Sequence, residues 1–176
     1  MATKATTPEL VKGYQQTIFY AAKQTGLTDD QARIIVAQAQ HESGNFTSPL
    51  FQSDNNLFGM KMPSKRDKTF IAGPSARVRT NEGSTPYASY KNVSDSTKDL
   101  ILSWHKANGT DWTKIQRPEQ YAAYLKSKNY FGDSLANYTN ALKSNFAKLK
   151  NVTFILLPFA ALFFFNPNYF IRKSKK

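Results

Sequence analysis

The sequence AQAQHESGNF, residues 37–46, carries small and polar residues into a glycine turn. Apolar residues at helical spacing precede this stretch, and Gly44 is typical of the position at which a helix ends. Upstream, Thr28 and Gln31 have the spacing of a capping box, which indicates where the same helix begins. We therefore predict a helix that starts after Thr28 and ends at Glu42, so that one carboxylate stands where regular structure stops.

Helical patterns flank an irregular middle region. Residues 8–25 form an amphipathic pattern that ends at Gly26, and three further helical patterns occupy the region from residue 94 to residue 149. Between them, glycine, proline, serine and asparagine are frequent, and the candidate strands are short: 69–72, 76–80 and 87–90. This order predicts an α+β fold for residues 1–150, with a helical lobe and a small antiparallel β-lobe.

Composition excludes several kinds of chemistry. The chain of 176 residues has no cysteine, which excludes disulfides and thiol nucleophiles, and its two histidines lack a zinc-ligand spacing, so no metal or other cofactor is expected. The net charge of +12 suggests a polyanionic partner. The basic residues are scattered and no nucleic-acid motif is found, so we expect no nucleic-acid partner.

The C-terminal segment, residues 151–176, differs from the rest of the chain. VTFILLPFAALFFF, residues 152–165, has no charge, and after an Asn-Pro-Asn interruption the apolar run continues to Ile171 before a basic end. Fourteen residues of helix reach roughly 21 Å, short of a bilayer core of about 30 Å, whereas the 20 residues to Ile171 suffice. We expect residues 152–171 to bind a lipid membrane; a core helix is the alternative.

Glu42 is the leading candidate for a reactive group. With thiol and metal chemistry excluded, a carboxyl acid is the most plausible catalyst, and carboxyl acids serve chiefly in glycoside cleavage. A partly apolar helix end raises the pKa of such a group, so that it can donate a proton to a leaving oxygen. The alternative is a solvated helix residue without function.

The order of several motifs resembles one family. AQAQHESGNF, NNLFGMK, RVRTNEG, YASYKNVSDSTKDLILSW and KNYFGD, spread over residues 8–150, resemble the glucosaminidase domain of bacterial and phage peptidoglycan hydrolases, glycoside hydrolase family 73. The resemblance implies a lysozyme-like fold around a glycan groove. It also implies hydrolysis of the β-1,4 bond between N-acetylglucosamine and N-acetylmuramic acid, with peptidoglycan as the partner.

The resemblance assigns three catalytic residues. The general acid of the family matches Glu42, and its second carboxylate, in a Thr-x-Glu turn, matches Glu82. The family's Tyr-Ala-Thr-Asp motif matches at Tyr130, although the two residues after it differ here. The mechanism is open between inversion with Glu82 as base and participation of the substrate's own N-acetyl group with Tyr130 as support.

The same motifs suggest residues that bind the glycan. Phe46 follows the ESG turn where the family often has tryptophan, so sugar stacking is assigned to it. The asparagines either hydrogen-bond their own turn or bind N-acetyl groups, and the remaining aromatic residues line the groove or support its wall. The complete set of predicted substrate-binding residues is Phe46, Asn55, Asn56, Phe58, Tyr87, Tyr90 and Tyr124.

Three functions remain in competition at this stage. The first is a membrane-tethered phage lysin, expected at the virion membrane or the host cell envelope because the tail is apolar and residues 1–8 lack the apolar region of a secretion signal. The second is a wall-binding module without catalysis. The third is a lytic transglycosylase that uses Glu42 alone.

Overall fold

A helix that is buried on most of its surface forms the centre of the molecule. The computed structural model describes residues 6–77, 85–150 and 152–154. The central helix, α2 (Asp29–Glu42), begins at the predicted capping box of Thr28 and Gln31. Its alanines are fully buried and permit close approach of neighbouring helices, so that α1 (Pro8–Lys23) and α6 (Leu135–Leu149) both pack against α2.

The remaining helices surround this centre. α1 also packs against α4 (Val93–Lys98), and α6 packs against α5 (Pro118–Ser127). A π-helical turn, Asp99–His105, continues α4, and a short 3₁₀ turn at Trp112–Lys114 precedes α5. The remaining helix, α3, spans Pro49–Asp54.

Two of these helices differ from their predictions. α4 is capped by Asn92, whose side chain accepts from the backbone N–H of Asp95, so this helix begins slightly before residue 94, where the helical pattern was predicted to begin. α3 was not predicted, although Ser48 caps it and Pro49 occupies its first turn, which is a recognisable start signal.

The small lobe contains very short strands. β1 (Gly73–Pro74) pairs antiparallel with β2 (Ala88–Ser89), and Lys61 forms an isolated bridge with Tyr87. The prediction of a strand over 69–72 is wrong, because Asp67 accepts hydrogen bonds from the backbone and hydroxyl of Thr69 and holds that region in a turn. The helical lobe with a two-stranded antiparallel sheet confirms the predicted lysozyme-like α+β class.

The turn after α2 fixes the position of Glu42. Ser43 is fully buried; its hydroxyl donates to the carbonyl of Ala39 at 2.6 Å and accepts from the N–H of Phe46 at 2.9 Å. Gly44, Asn45 and Phe46 all have positive φ, a conformation that is uncommon for asparagine and rarer for phenylalanine. The buried ring of Phe46 and the hydrogen bonds of the Ser43 hydroxyl hold this turn in place.

Most of the predicted membrane segment lies outside the described residues. Of its first residues, Val152 and Phe154 pack against the hydrophobic core, and Phe154 stacks on Phe19 with ring centroids 4.1 Å apart. Within the described part of the chain, no helix has the length and apolarity needed to cross a membrane.

Candidate active site

A groove of about 1010 Å³ lies beside the end of α2. Glu42 is at its wall, together with residues of the small lobe and of the connection between α5 and α6. The other lining residues are Ser48, Pro49, Leu50, Asn56, Phe58, Gly59, Met60, Lys61, Arg66, Ala76, Arg77, Tyr87, Trp104, Lys128, Asn129 and Tyr130. Glu42 thus faces a space large enough for several sugar rings, bordered by aromatic and basic side chains.

Among the described residues, one side chain donates a hydrogen bond to the carboxyl group of Glu42. The hydroxyl of Tyr138 donates to Glu42 Oε1 at 2.6 Å. Burial raises the pKa of Glu42, and the hydrogen bond from Tyr138 lowers it by a smaller amount. Among the described residues, no lysine or arginine forms an ion pair with Glu42. The environment therefore favours the protonated carboxyl, which is the state that a general acid requires.

Tyr138 is a partner of Glu42 that the sequence analysis did not identify. It lies on the buried face of α6. Its ring stacks on Phe131 with centroids 3.8 Å apart and meets the edge of His41 at 4.9 Å. These contacts aim the hydroxyl at Glu42. The only sequence signal is a tyrosine in a helical stripe otherwise made of hydrocarbon side chains, because a buried hydroxyl needs a partner.

Tyr130 lines the groove with Glu42 but does not hydrogen-bond to it. Its hydroxyl donates to the carbonyl of Phe58 at 2.8 Å, and its ring meets the edge of Trp104 at 5.1 Å. Burial and the nearby charge of Glu42 raise the pKa of Tyr130, so its hydroxyl stays neutral. The predicted supporting role of Tyr130 would require the hydroxyl to turn away from Phe58.

Phe46 is the clearest disagreement among the predicted substrate-binding residues. Its side chain has 0% exposure and packs against Tyr14 and Phe51, with ring centroids 5.4 and 5.7 Å away. A ring enclosed in this way has no face for a sugar. Phe46 anchors the turn after α2.

The two asparagines hold the backbone of the small lobe. Asn55, at the end of α3, donates to the carbonyls of Tyr90 and Lys91 at 3.0 and 3.3 Å. Asn56 lines the groove, but it is 1% exposed and its amide is occupied by the backbone of Met60 and Ala88. The contacts of Asn56 with Met60 agree with the alternative in which an asparagine stabilises its own turn, whereas Asn55 instead ties the end of α3 to the backbone of Tyr90 and Lys91.

The predicted aromatic residues divide into two groups. Phe58 and Tyr87 line the groove, although both are nearly buried. Tyr90 and Tyr124 are not among the lining residues: the Tyr90 hydroxyl donates to Asp99 at 2.7 Å, and the Tyr124 hydroxyl contacts Thr110. Trp104, which the sequence analysis did not single out, is half-buried and lines the groove.

Two further expectations concern Glu82 and metal binding. Glu82 lies outside the described residues and stays a prediction of the family resemblance. Within residues 6–77, 85–150 and 152–154, no three histidine or acidic side chains are close enough together to hold a metal ion.

Known structures share this fold. A catalytic domain of the autolysin Auto from Listeria monocytogenes is 18% identical, with a TM-score of 0.52 over 85% of this chain and 88% of that one. A chain of a type VI secretion effector–immunity complex from Pseudomonas protegens is 21% identical, with a TM-score of 0.51 over 78% and 91%. A peptidoglycan hydrolase mutant from Sphingomonas sp. A1 is 18% identical, with a TM-score of 0.50 over 77% and 90%.

The sequence itself identifies the family. A comparison with curated protein sequences gives no match. The family model Glucosaminidase, described as mannosyl-glycoprotein endo-beta-N-acetylglucosaminidase, matches residues 15–151, which is most of the chain and includes Glu42 and Tyr138. This chain therefore belongs to the glucosaminidase family and is a glycoside hydrolase.

Proposed function

We propose that this glycoside hydrolase acts on bacterial peptidoglycan and cleaves the β-1,4 bond between N-acetylglucosamine and N-acetylmuramic acid. The observation that supports this most is Glu42, a carboxyl with a raised pKa at the wall of a groove of glycan size. The names of two similar structures, an autolysin and a peptidoglycan hydrolase, point to the same substrate.

Glu42 is the general acid in this proposal. The Tyr138 hydroxyl donates a hydrogen bond to Oε1 of Glu42, so the acidic proton of Glu42 is carried by Oε2. When the glycosidic bond breaks, Oε2 protonates the leaving oxygen and Glu42 becomes a carboxylate. The Tyr138 hydroxyl then stabilises the new charge, because a hydrogen bond to an ionised acceptor is stronger than one to a neutral acceptor. Tyr138 therefore acts as a positioning residue. Its hydrogen bond to Glu42 becomes stronger as negative charge develops on the carboxyl group.

For attack at the anomeric carbon, we propose that the substrate's N-acetyl oxygen is the nucleophile. Tyr130, on the same groove wall as Glu42, supports that group in this proposal. The competing route uses Glu82 as a base that activates water and inverts the anomeric carbon. NMR of the first-formed anomer separates the two, because an inverted product would eliminate participation of the N-acetyl group.

The substitution Glu42→Gln tests the assignment of the acid. Glutamine keeps the shape and the acceptor for Tyr138 but has no acidic proton, so we expect a loss of about 10²- to 10⁴-fold in wall clearing, with binding to sacculi retained. A zymogram and a sacculus pull-down measure the two properties. Glu9→Gln, at an exposed site in α1, is the matched control. Clearing by Glu42→Gln at the parental rate would show that Glu42 is not the acid.

Product analysis tests the reaction type. Hydrolysis releases reducing N-acetylglucosamine ends, whereas a lytic transglycosylase releases anhydro-muramic ends. Mass spectrometry of digested sacculi should find the former. A protein that binds sacculi without releasing either would be a wall-binding module.

We further propose that the apolar segment 152–171, beyond the core contacts of Val152 and Phe154, attaches the enzyme to a membrane, at a virion membrane or the host cell envelope. The support is the composition of that segment, an apolar run followed by four basic residues in the last five. The full chain should float with anionic liposomes, and a chain ending at Phe154 should not; equal flotation of both would contradict this role of the tail.

A further inference from the structure

Basic side chains border the groove from several parts of the chain. Arg77 comes from the small lobe, and Lys128 comes from the turn after α5. Glu42 is the one acidic residue that lines the groove within the described residues, and burial favours its neutral form. Arg77 and Lys128 therefore give the described lining a surplus of positive charge that the reaction proposed above does not use.

One basic side chain is not part of this surplus. Arg66 also lines the groove, but its guanidinium forms an ion pair with the fully buried Asp99. The charges of Arg66 and Asp99 cancel, and the pair belongs to the wall.

Arg77 and Lys128 have no such compensation. Both are exposed, and no carboxylate among the described residues pairs with either. Arg77 is held by its Nε, which donates to Ser53 Oγ at 2.9 Å, and this leaves the terminal nitrogens for another acceptor. The Lys128 ammonium lies 5.7 Å from the centre of the Tyr124 ring. Ordered cations at a groove wall are suited to an anionic ligand.

We propose that Arg77 and Lys128 form a subsite for the carboxylates carried on the lactyl arm of muramyl residues. This inference rests on the proposed function, because it concerns how the same groove selects its glycan. A glycan made of N-acetylglucosamine alone is neutral. A muramyl residue carries either a free lactyl carboxylate or a stem peptide with carboxylates of its own, and a guanidinium binds a carboxylate in a two-pronged geometry. The subsite therefore favours muramyl glycans over neutral ones.

Binding measurements with three glycans test the subsite. We would use the Glu42→Gln protein, which prevents turnover, and compare Arg77→Gln and Lys128→Gln within it. The ligands are chitotetraose, glycan strands stripped of peptide by an amidase, and strands that keep their stem peptides. Lys12→Gln, exposed on α1 and away from the groove, makes the same charge change as a control.

We expect each groove substitution to weaken binding of the carboxylate-bearing strands about two- to fivefold, the range typical of exposed ion pairs. Chitotetraose binding and the control should not change, and high salt should remove the difference. A loss only with stripped strands identifies the lactyl carboxylate as the ligand, and a loss only with peptide-bearing strands identifies the peptide carboxylates. A loss with both kinds of strand shows that the subsite accepts either carboxylate.

Two results would overturn the subsite: equal losses for all three glycans, or no loss for any of them. Either result with an inactive Glu42→Gln protein would remove only the subsite and leave the proposed function intact. Wall clearing by the Glu42→Gln protein would instead remove the proposed function, whatever the binding constants are.

Discussion

Glu42 and Asp99 are carboxylates that each accept a hydrogen bond from a tyrosine, yet their chemistry differs. Tyr138 donates to Glu42 at 2.6 Å, and Tyr90 donates to Asp99 at 2.7 Å. Asp99 is fully buried and also pairs with Arg66, whereas Glu42 faces the groove and no described cation pairs with it. The second partner decides the role. The charge of Asp99 is balanced by Arg66, and this pair stabilises the wall of the groove. Glu42 has no described cation as a partner and remains available for proton transfer.

The largest expected effect on stability comes from removing the charge of Asp99. Asp99→Asn leaves the mostly buried Arg66 without a counter-ion, which typically costs about 3–5 kcal/mol. For a chain of this size each kcal/mol lowers Tm by about 2–4 °C, so thermal unfolding should shift by on the order of 10 °C.

Asp30→Asn provides the matched control for that shift. Asp30 pairs with Arg33 at 3.4 Å on the surface, where such a pair contributes at most about 1 kcal/mol. If the two variants unfolded at the same temperature, the buried pair would not be a structural element and the contrast with Glu42 would be lost.

The two tyrosines should give different kinds of change when they are replaced. Tyr138 lowers the pKa of Glu42, so Tyr138→Phe should raise that pKa and move the basic limb of the pH–rate profile to higher pH. The maximal rate should fall, by up to about 10²-fold, because the acid is less well positioned. Tyr90→Phe should leave the profile in place and cost about 1–3 kcal/mol in unfolding free energy, since a buried acceptor loses a donor.

Rate profiles and thermal unfolding of both tyrosine variants measure this contrast. A shift of the profile to lower pH in Tyr138→Phe would mean that the hydroxyl does not stabilise the Glu42 carboxylate. An equal shift in Tyr90→Phe would mean that the effect is not specific to the acid.

The difference between the two carboxylates also marks what the sequence can predict. Helix α2, its capping box and its end at Glu42 follow from local signals, because caps and glycine turns act over a few residues. The partners of Glu42 and Asp99 do not follow, since Tyr138 is 96 residues from Glu42 and Arg66 is 33 from Asp99. No local sequence pattern indicates a contact between residues so far apart in the chain.

Phe46 is a second example of a property that the local sequence does not determine, in this case the exposure of a side chain. A motif position suggested a sugar platform, but the ring is enclosed by α1 and α3 through Tyr14 and Phe51. Exposure depends on which helices pack over the turn. The family resemblance points to Glu42, which lies at the groove because the helix end is set by local signals, whereas contacts across the chain decide which aromatic side chains line the groove.

The smallest expected effect is a stability difference whose sign distinguishes Glu42 from Asp99. Burial raises the pKa of Glu42 in the folded protein above its unfolded value of about 4.3. The folded state then loses stability as the pH rises from that value through the folded pKa, because the ionised carboxyl is disfavoured by burial. Glu42→Gln has no charge and keeps the acceptor for Tyr138, so it should unfold a few degrees above the parent at neutral pH, each kcal/mol being about 2–4 °C. Below about pH 4 Glu42 is protonated in the folded and in the unfolded parent protein, so the difference should vanish. Calorimetry at the two pH values measures it, and a lower Tm for Glu42→Gln at neutral pH would mean that Glu42, like Asp99, holds the fold together by its charge.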